Sequence, residues 1–297
     1  MTISVVIVAF KSDHLLENLI HTIPNHFEII VIENSLNHNL RSNLKKFKNV
    51  KVIIPNENLG YGKSFNLGLE ISKNNIICFI SPDIFIPENC FESLIKLIEK
   101  FKDFSILAPS YKNEKIHKNY QIKDKFKLNN LFVDNFKLIE VDEIDFAMAL
   151  VNKSNISNLK LMDENFFLYF ESTDACLSLR KQNKKIYVVE NIKFIHHGTS
   201  SSDISHKNTI DINRNWHFSW SKFYLFKKHY NYLYGLKKTL PNFIHSLKWF
   251  IICKVKLMIF KTKKVEMEAN LHQAVLSGLI NSYLLKKSSY RPFNNKK

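Results

Sequence analysis

The stretch ISVVIVAFKS, residues 3–12, opens with an almost continuous apolar run, as a strand buried on both faces of a parallel sheet does. Apolar residues at helical spacing follow at positions 13–23. Further strand-like runs then alternate with helical segments over about the first hundred residues: FEIIVIENS (27–35), VKVIIP (50–55) and NIICFISPD (75–83). This β-α-β alternation predicts a doubly wound α/β sheet.

Polar side chains stand where these strands end, and in a doubly wound sheet ligands bind beyond the carboxyl ends of the strands. We therefore expect the polar residues to converge on one crevice. Asp83, in the sequence SPD, is a common turn residue, but after a buried strand its carboxylate is also suited to a hard divalent cation. The residues expected in the crevice are Lys11, Ser12, Glu33, Asn34, Ser81 and Asp83.

Composition indicates an intracellular globular protein. The 297 residues suffice for one large α/β domain with an appendage. Four widely spaced cysteines, with no C-x-x-C pair, favour neither a zinc ribbon nor a disulfide framework, so we expect a reducing cytoplasm. The first residues show no basic leader, and we interpret them as a buried strand.

The net charge of +16 is concentrated at the C-terminal end. Residues 222–297 hold 16 of the 43 basic residues and only two of the 27 acidic ones, which is a net charge of +14. We therefore predict a domain over residues 1–221, with a nucleotide-binding half at about 1–100 and an acceptor half at about 101–221, and a basic, mainly helical extension over 222–297. No basic recognition fold accompanies the charge, so we expect no nucleic-acid partner.

Three of the six glycines lie in NENLGYGKSFNLGLE, residues 56–70, which indicates a tight turn or a close backbone approach. The stretch lacks the third glycine of a dinucleotide fingerprint and the first glycine of a P-loop. It predicts either an ordinary turn and helix start or a loop that lines a nucleotide-sugar pocket.

The stretch FFLYFESTDACLSLR, residues 166–180, places two carboxylates where an apolar run, interpreted as a strand, meets a helix. Ser172, Thr173 and Asp174 are suited to capping the helix, and this is the simpler interpretation. The alternative is that Glu171 or Asp174 is a catalytic base. Two histidines, His196 and His197, follow another apolar strand, where an imidazole either packs at the surface or completes a metal or phosphate site.

In their order along the chain these motifs resemble family 2 glycosyltransferases with a GT-A fold, especially the bacterial rhamnosyltransferase-like members. The resemblance covers roughly the first 230 residues. It rests on SVVIVAFKS, IIVIENS, NLGYGKSFNLGL, SPD, MDENFFLYFESTDACLSLRKQ, IKFIHHGTSS and the basic aromatic segment RNWHFSWSKFYLFKKHY.

The resemblance implies an inverting transfer of a sugar from a dTDP- or UDP-sugar, dTDP-rhamnose among them, to a saccharide hydroxyl in cell-surface polysaccharide synthesis such as O-antigen or capsule. Asp83, with His196 or His197, would hold Mg²⁺ or Mn²⁺, and a carboxylate of the 171–174 segment would deprotonate the acceptor. The implied nucleotide-sugar contacts are Ala9, Phe10, Lys11, Glu33, Asn34, Ser35, Asn58, Gly60, Tyr61, Gly62, Asn66, Ser81, Pro82 and Asp83.

Three positions depart from the family pattern. Glu33 stands where Asp is usual, Ser81 stands where Asn or Asp is usual, and Ser172 replaces the Asp that is the expected base. A serine is no base near neutral pH, so we assign the role to Glu171 and keep Asp174, acting through a water, as the alternative. The rival hypothesis is a catalytically impaired relative that binds nucleotide-sugar or membrane without turnover.

Residues 240–260 are apolar but interrupted by Lys248, Lys254 and Lys256, which are costly in hydrocarbon. An interfacial helix, with Trp249, Phe250 and Phe260 at the headgroup boundary of an anionic membrane, and a buried packing helix are the two interpretations. The first agrees with a lipid-linked saccharide acceptor and a peripheral location at the inner face of the cytoplasmic membrane.

Overall fold

The computed structural model describes residues 1–112, 118–122, 130–196 and 206–292. By its internal contacts the chain divides into a sheet unit, Met1–Asp163 with Ser172–Asp203, and a helical unit, Glu164–Glu171 with Ile204–Lys297. The helical unit thus includes a short segment that lies within the sequence of the sheet unit.

The sheet unit is built on a mixed sheet. Its strands are β1 (Ser4–Ala9), β2 (Glu28–Glu33), β3 (Val50–Ile53), β4 (Ile76–Ile80), β5 (Ile84–Phe85), β6 (Ile106–Tyr111), β8 (Asn130–Val133), β9 (Phe136–Glu140), β11 (Met148–Asn152) and β12 (Ile186–His196), while β7 (Tyr120–Gln121) and β10 (Glu143–Ile144) pair separately.

The order of the strands across the sheet is β3-β2-β1-β4-β11-β6-β12-β9-β8. The β3, β2, β1 and β4 strands are parallel, β11 runs antiparallel to β4 and β6, and β12 runs parallel to β6. The mostly parallel α/β fold predicted from the sequence is confirmed.

Alternate residues of the strands feed two cores, one on each face of the sheet. On β1, Val5 and Ile7 belong to one apolar cluster and Val6 belongs to the other. The strand is apolar throughout because both of its faces are buried. The flanking helices are α1 (Asp13–His21), α2 (Leu40–Asn43), α3 (Gly60–Ile71), α4 (Cys90–Lys100) and α5 (Glu171–Lys181).

One local expectation differs from the structure, and one strand carries a weak sequence signal. The weak signal belongs to β6, a fully buried six-residue strand between β11 and β12. Pro109 inside β6 weakens its strand signal, because proline lacks an N–H to donate. Residues 166–170 were expected to form a strand but form none, and Tyr169 and Phe170 have φ values of 69° and 66°.

The apolar side chains of residues 166–170 pack within the helical unit. Phe166 contacts Tyr224 edge-on with ring centroids 4.9 Å apart, and Phe167 lies 4.6 Å from His217. The hydroxyl of Ser221 donates to the carbonyl of Leu168 at 2.9 Å. An apolar run therefore indicated burial correctly, but the burial is against a helix rather than within a sheet.

Three long helices form the rest of the helical unit: α6 (Lys207–His229), α7 (Tyr232–Phe260) and α8 (Lys263–Tyr283). A Cβ at Gly235 would stand 2.9 Å from the Phe223 ring, so α6 and α7 approach closely there. The predicted boundary after residue 221 falls inside α6. No helix in the described part of the chain has the length and apolarity needed to cross a membrane.

Candidate functional site

Asp83 and His196 face each other at the edge where the β4 strand ends. The short β5 strand pairs with β12 so that Ile84 lies opposite His196, which brings the preceding Asp83 beside the imidazole. The Asp83 Oδ1 atom lies 3.3 Å from His196 Nε2, and the side chains are 4% and 27% exposed. The structure therefore brings together two residues that the family resemblance implies as metal ligands, and the imidazole is partly exposed.

Tyr111 and Asp145 stand behind His196 and were missed in the sequence. The Tyr111 hydroxyl donates to Asp145 Oδ2 at 2.6 Å and lies 2.9 Å from His196 Nδ1. Since that proton is committed to Asp145, His196 Nδ1–H donates to the Tyr111 oxygen. In the neutral imidazole the Nε2 lone pair then points toward Asp83. Tyr111 ends the β6 strand, so recognising β6 would have marked it as another polar residue at a strand end.

The electrostatics of this cluster favour a cation beside Asp83. Burial lowers the pKa of His196, but the hydrogen bond and charge of Asp83, with the charge of Asp145, outweigh it and raise the pKa above its ordinary value. Burial, followed by the charge of Asp145, raises the pKa of Tyr111, so the hydroxyl keeps its proton. A proton on His196 or a bound metal ion would each satisfy Asp83.

A carboxylate oxygen and an imidazole nitrogen that face each other match the donor types of a Mn²⁺ site, and diphosphate oxygens would supply further ligands. Within residues 1–112, 118–122, 130–196 and 206–292, no group of three or more His, Cys, Asp or Glu side chains is arranged to hold a metal ion. His197, the alternative predicted ligand, lies outside the described residues.

Asn34 joins three of the predicted nucleotide-contact segments. Its backbone N–H donates to the Ala9 carbonyl at 2.8 Å, and its side-chain amide donates to Ser64 Oγ and the Gly60 carbonyl. The Leu59 N–H donates back to Asn34 Oδ1 at 3.2 Å. At 3% exposed, Asn34 therefore ties the ends of β1 and β2 to the start of α3.

Glu33 and Lys11 meet through Ser35. The Ser35 N–H and hydroxyl both donate to Glu33 Oε1, while the Lys11 N–H donates to Ser35 Oγ at 3.1 Å. Lys11 has a φ of 54°, so the chain turns sharply after β1. Burial raises the pKa of Glu33 to about 7 against the opposing hydrogen bonds from Ser35. The buried Glu33 carboxyl group is therefore close to the midpoint of its titration at neutral pH.

The glycine-rich stretch forms the first turns of α3. Gly60 has a φ of 75°, which a side chain would disfavour, and its N–H donates to Asn58 Oδ1 at 2.9 Å. The Tyr61 hydroxyl donates to the Phe146 carbonyl, and Asn66 exchanges two hydrogen bonds with the backbone of Met162. Asn66 therefore anchors the segment that leads to α5.

Of the remaining predicted residues, Phe10 donates its N–H to Ser12, Ser81 donates its N–H to Ala147, and Gly62 and Pro82 are buried.

The carboxylates of the 171–174 segment lie on the first turn of α5. Glu171 is 7% exposed and is grouped with the helical unit, whereas Asp174 is 2% exposed and is grouped with the sheet unit. Glu171 Oε2 has no hydrogen-bond partner among the described residues. Burial raises the pKa of Glu171 to about 7. Thr173 donates its hydroxyl to Glu143, and Ser172 is only partly buried.

A comparison of the sequence with family models assigns the chain to a family that agrees with the fold described above. The family model for glycosyl transferase family 2 matches residues 4–159, which is more than half of the chain. The chain belongs to glycosyl transferase family 2. This confirms the family resemblance, while the rhamnosyltransferase-like subgroup stays a prediction.

Two curated relatives act in glycan assembly according to their names. The chain is 24% identical over 206 residues to the low-salt glycan biosynthesis hexosyltransferase Agl10 of Haloferax volcanii, a match that covers 65% of this chain and 66% of the relative. It is 22% identical over 223 residues to the minor teichoic acid biosynthesis protein GgaB of Bacillus subtilis, covering 71% of this chain and 24% of GgaB. The match thus spans less than two thirds of each relative.

Solved glycosyltransferase structures share the fold. The mannosyltransferase PcManGT from Pyrobaculum calidifontis, solved with GDP-Man and Mn²⁺, has a TM-score of 0.55 at 9% identity, and the match covers 96% of this chain and 88% of PcManGT. GalNAc-T7, solved with UDP, GalNAc and Mn²⁺, has a TM-score of 0.53 at 14% identity, covering 76% of this chain and 50% of that one. These similarities confirm the GT-A fold.

Proposed function

We propose that the protein is a metal-dependent inverting glycosyltransferase that moves a sugar from a nucleotide-diphosphate donor to a saccharide hydroxyl. The observation that carries this proposal is the Asp83 and His196 pair, whose facing atoms lie 3.3 Å apart in a member of glycosyl transferase family 2. The presence of Mn²⁺ in the structures of PcManGT and GalNAc-T7 supports the metal.

Asp83 and His196 would hold Mg²⁺ or Mn²⁺, which when bound neutralises charge that develops on the leaving diphosphate. Tyr111 and Asp145 hold the His196 ring so that Nε2 faces Asp83. This arrangement corresponds to the outer hydrogen-bond partners of metal-binding histidines in general. The residues of this chain thus position the ligand atoms before the donor binds.

The turns after β1 and β2, with the first turn of α3, would bind the nucleotide. Asn34 keeps these three segments together, so its hydrogen bonds contribute to their arrangement. Lys11, Ser35 and Glu33 lie on the same turns, and the buried Glu33 carboxyl is a candidate hydrogen-bond partner for the base or ribose. The donor is a dTDP- or UDP-sugar in this proposal, with dTDP-rhamnose as one candidate.

Glu171 would act as the general base that takes the acceptor proton. Its pKa of about 7 is close to the value at which a base is both available and strong enough at neutral pH. Its unpartnered Oε2 atom leaves an acceptor position for a hydroxyl. Asp174 is the alternative base, acting through a water. Ser172 lies between the two carboxylates in the sequence and is no base near neutral pH.

The acceptor in this proposal is a saccharide, carried by a lipid, in cell-surface polysaccharide synthesis such as O-antigen or capsule. The names of Agl10 and GgaB, which refer to glycan and teichoic acid biosynthesis, support this class of product. The enzyme would then work in the cytoplasm, peripherally bound at the inner face of the cytoplasmic membrane.

Nucleotide-dependent thermal stabilisation tests the donor site. UDP, dTDP and GDP are each added with and without Mn²⁺ to the parent, to Asp83→Asn and to a matched Asp103→Asn control at an exposed position. One nucleotide at about a hundred times its Kd should stabilise the parent by roughly 3 kcal/mol in the presence of Mn²⁺. Asp83→Asn should lose this stabilisation, and Asp103→Asn should keep it.

Equal stabilisation of the parent and of Asp83→Asn would refute the metal site. If no nucleotide stabilised the parent under any condition, the donor site would be refuted, and only the membrane-binding form of the impaired-relative hypothesis would remain. Transfer gained on Ser172→Asp from a silent parent would support that rival as well.

A further inference from the structure

We propose that one exposed side of α7 docks on a bilayer that contains anionic glycerophospholipids. The inference rests on the proposed function, because docking on a bilayer brings the enzyme to the surface that carries a lipid-linked acceptor. It goes further in assigning the contact to a defined set of side chains. These form the α7 stripe, which consists of Leu233, Leu240, Ile244, Leu247, Ile251, Val255 and Met258.

The α7 stripe runs along most of the helix, with Lys237 at the edge of its arc between Leu233 and Leu240. At 3.6 residues per turn its members fall within an arc of about 80° and extend over roughly 37 Å. Every member is exposed, among them Ile244 at 58%, Ile251 at 54% and Met258 at 81%. Monomeric soluble proteins rarely expose apolar surface of this extent without a binding role. The stripe is therefore a docking surface rather than scattered surface residues.

The opposite side of α7 accounts for the packing of the helix within its own unit. The buried residues Gly235, Thr239, Ser246 and Cys253 lie on that side. Thr239 lies 3.0 Å from the hydroxyl of Tyr283 on α8, and Gly235 approaches Phe223 on α6. The helix is thus already packed through small residues, and the stripe is not needed for that packing.

Charge identifies the occupant. The α7 helix carries five lysines and no acidic residue. Lys237, Lys248 and Lys254 are exposed. Lys248 and Lys254 flank the stripe about 60° to either side of its centre line, and Lys237 lies about 40° from that line, at the edge of the arc. An apolar band bordered by lysines suits a bilayer in which acyl chains receive the band and anionic headgroups receive the ammonium groups.

A second copy of the chain is a poorer occupant, because pairing two such faces would bring two sets of lysines together. The structure also changes which residues of the 240–260 region would contact lipid. Of the three residues expected at the headgroup boundary, Trp249 and Phe250 are partly buried, whereas Phe260 is exposed, as are the stripe members. The predicted location of an interfacial helix is kept, and its contact residues are revised.

Vesicle co-sedimentation of the full chain tests the inference. The vesicles contain phosphatidylcholine alone or phosphatidylcholine with phosphatidylglycerol. The stripe triple combines Ile244→Ser, Ile251→Ser and Met258→Ser. The lysine triple combines Lys237→Gln, Lys248→Gln and Lys254→Gln. We expect the parent to prefer the anionic vesicles. The stripe triple should lower partitioning roughly tenfold or more, and the lysine triple should lower it on the order of a hundredfold, about fivefold per lysine.

Matched controls carry comparable changes on the sheet unit, from apolar residues to Ser and from Lys to Gln. They are Leu131→Ser with Phe132→Ser and Leu159→Ser, and Lys45→Gln with Lys48→Gln and Lys51→Gln, all at exposed positions. Both controls should partition like the parent. Circular dichroism melts of every variant establish that the altered exposed residues leave the fold intact.

The inference would be overturned if the parent and the stripe triple sedimented equally with anionic vesicles. It would also be overturned if the parent partitioned equally into neutral and anionic vesicles. A second result would also overturn it: the parent is a dimer that binds no vesicles, and the stripe triple is a monomer. The stripe would then be a contact between copies of the chain. Salt-sensitive RNA binding lost in the lysine triple, with no vesicle binding, would assign the face to nucleic acid and overturn it too. Nucleotide stabilisation measured on the same samples separates failure of the docking from failure of the donor site.

Discussion

At the scale of single residues, the distinctive feature is two buried carboxyl groups, Glu33 and Glu171, for which the described residues supply no lysine or arginine partner. Glu33 and Glu171 each have a pKa raised to about 7 by burial, and each has one oxygen without a hydrogen-bond partner among the described residues. A buried polar atom without a partner costs stability. Such groups are commonly found where a ligand or a proton is to be received.

Glu171→Gln should change stability and activity in opposite directions. The folded-state pKa of Glu171, about 7, lies above the ordinary value of 4.5. Its contribution to stability is therefore fully present below about pH 4.5 and is lost as the pH rises through 7. Since Gln cannot ionise, the variant should be more stable than the parent at pH 8 by roughly 3 kcal/mol, with little difference at pH 4.5.

The same variant should lower kcat by about 10²- to 10⁴-fold if Glu171 is the base. Thermal melts across pH and initial rates with a sugar acceptor measure the two effects. Glu70→Gln, an exposed change on α3, should alter neither property. A Glu171→Gln enzyme with parental kcat would move the role of base to Asp174.

At the scale of elements, strand pairing rather than sequence proximity assembles the candidate metal site. The β5–β12 pairing sets Asp83 beside His196, and the β6–β12 pairing sets Tyr111 opposite Phe194, two residues before His196. Asp145 follows the short β10 strand and accepts from the Tyr111 hydroxyl. Four residues spread over more than a hundred positions thus meet because four strands end close together.

Tyr111→Phe should weaken metal binding without removing a ligand. The hydroxyl orients His196, and loss of such a partner typically costs about 10- to 100-fold in metal affinity. Mn²⁺ titration followed by electron paramagnetic resonance, in the presence of the stabilising nucleotide, measures the change directly. Tyr187→Phe on β12, another buried tyrosine, should leave the affinity unchanged. Parental affinity in Tyr111→Phe would confine Tyr111 to packing.

At the scale of the whole molecule, the two contact-defined units do not follow the order of the chain. The family model matches residues 4–159, all within the sheet unit, while residues 164–171 are grouped with α6, α7 and α8. Phe166 and Phe167 pack against α6, and Arg291 lies 3.5 Å from the Phe167 ring. The segment before α5 therefore has its packing partners more than forty residues later in the chain.

A chain truncated after residue 203 should fold poorly even though it retains the whole family match. Without α6, the nearly fully buried rings of Phe166 and Phe167 lose their partners and expose apolar surface. We expect low soluble yield, a melting transition at least about 5 °C below that of the full chain, and strong binding of an apolar dye.

The point variants Phe166→Ala and Phe167→Ala test the same packing in the intact chain. Each should destabilise it by about 3 kcal/mol, in contrast to Phe132→Ala at a 67% exposed position. A truncated chain that melts cooperatively at the temperature of the full chain would show that the segment does not depend on the helices.

The sequence by itself determined the fold class and the family, and it predicted the regions of the site, because those features depend on local patterns. A fully apolar strand such as residues 4–9 indicates a doubly covered sheet, and polar residues after each such strand indicate its ligand-binding edge. This pattern marked Asp83 and Asn34, while the family resemblance joined Asp83 to His196 and added Ala9 and Gly60 to the predicted site. The glycine-rich stretch likewise indicated a tight helix start at Gly60.

Only the tertiary structure decided which residues distant in sequence contact each other. The amides of Asn34 and Asn66, both predicted to contact the nucleotide-sugar, also bond backbone and hydroxyl groups of other segments. Tyr111 and Asp145 carry no local signal, since pairing between strands brings them together. The exposed stripe of α7 likewise depends on which side of an amphipathic helix is covered, and helical spacing alone does not distinguish an inward apolar face from an outward one.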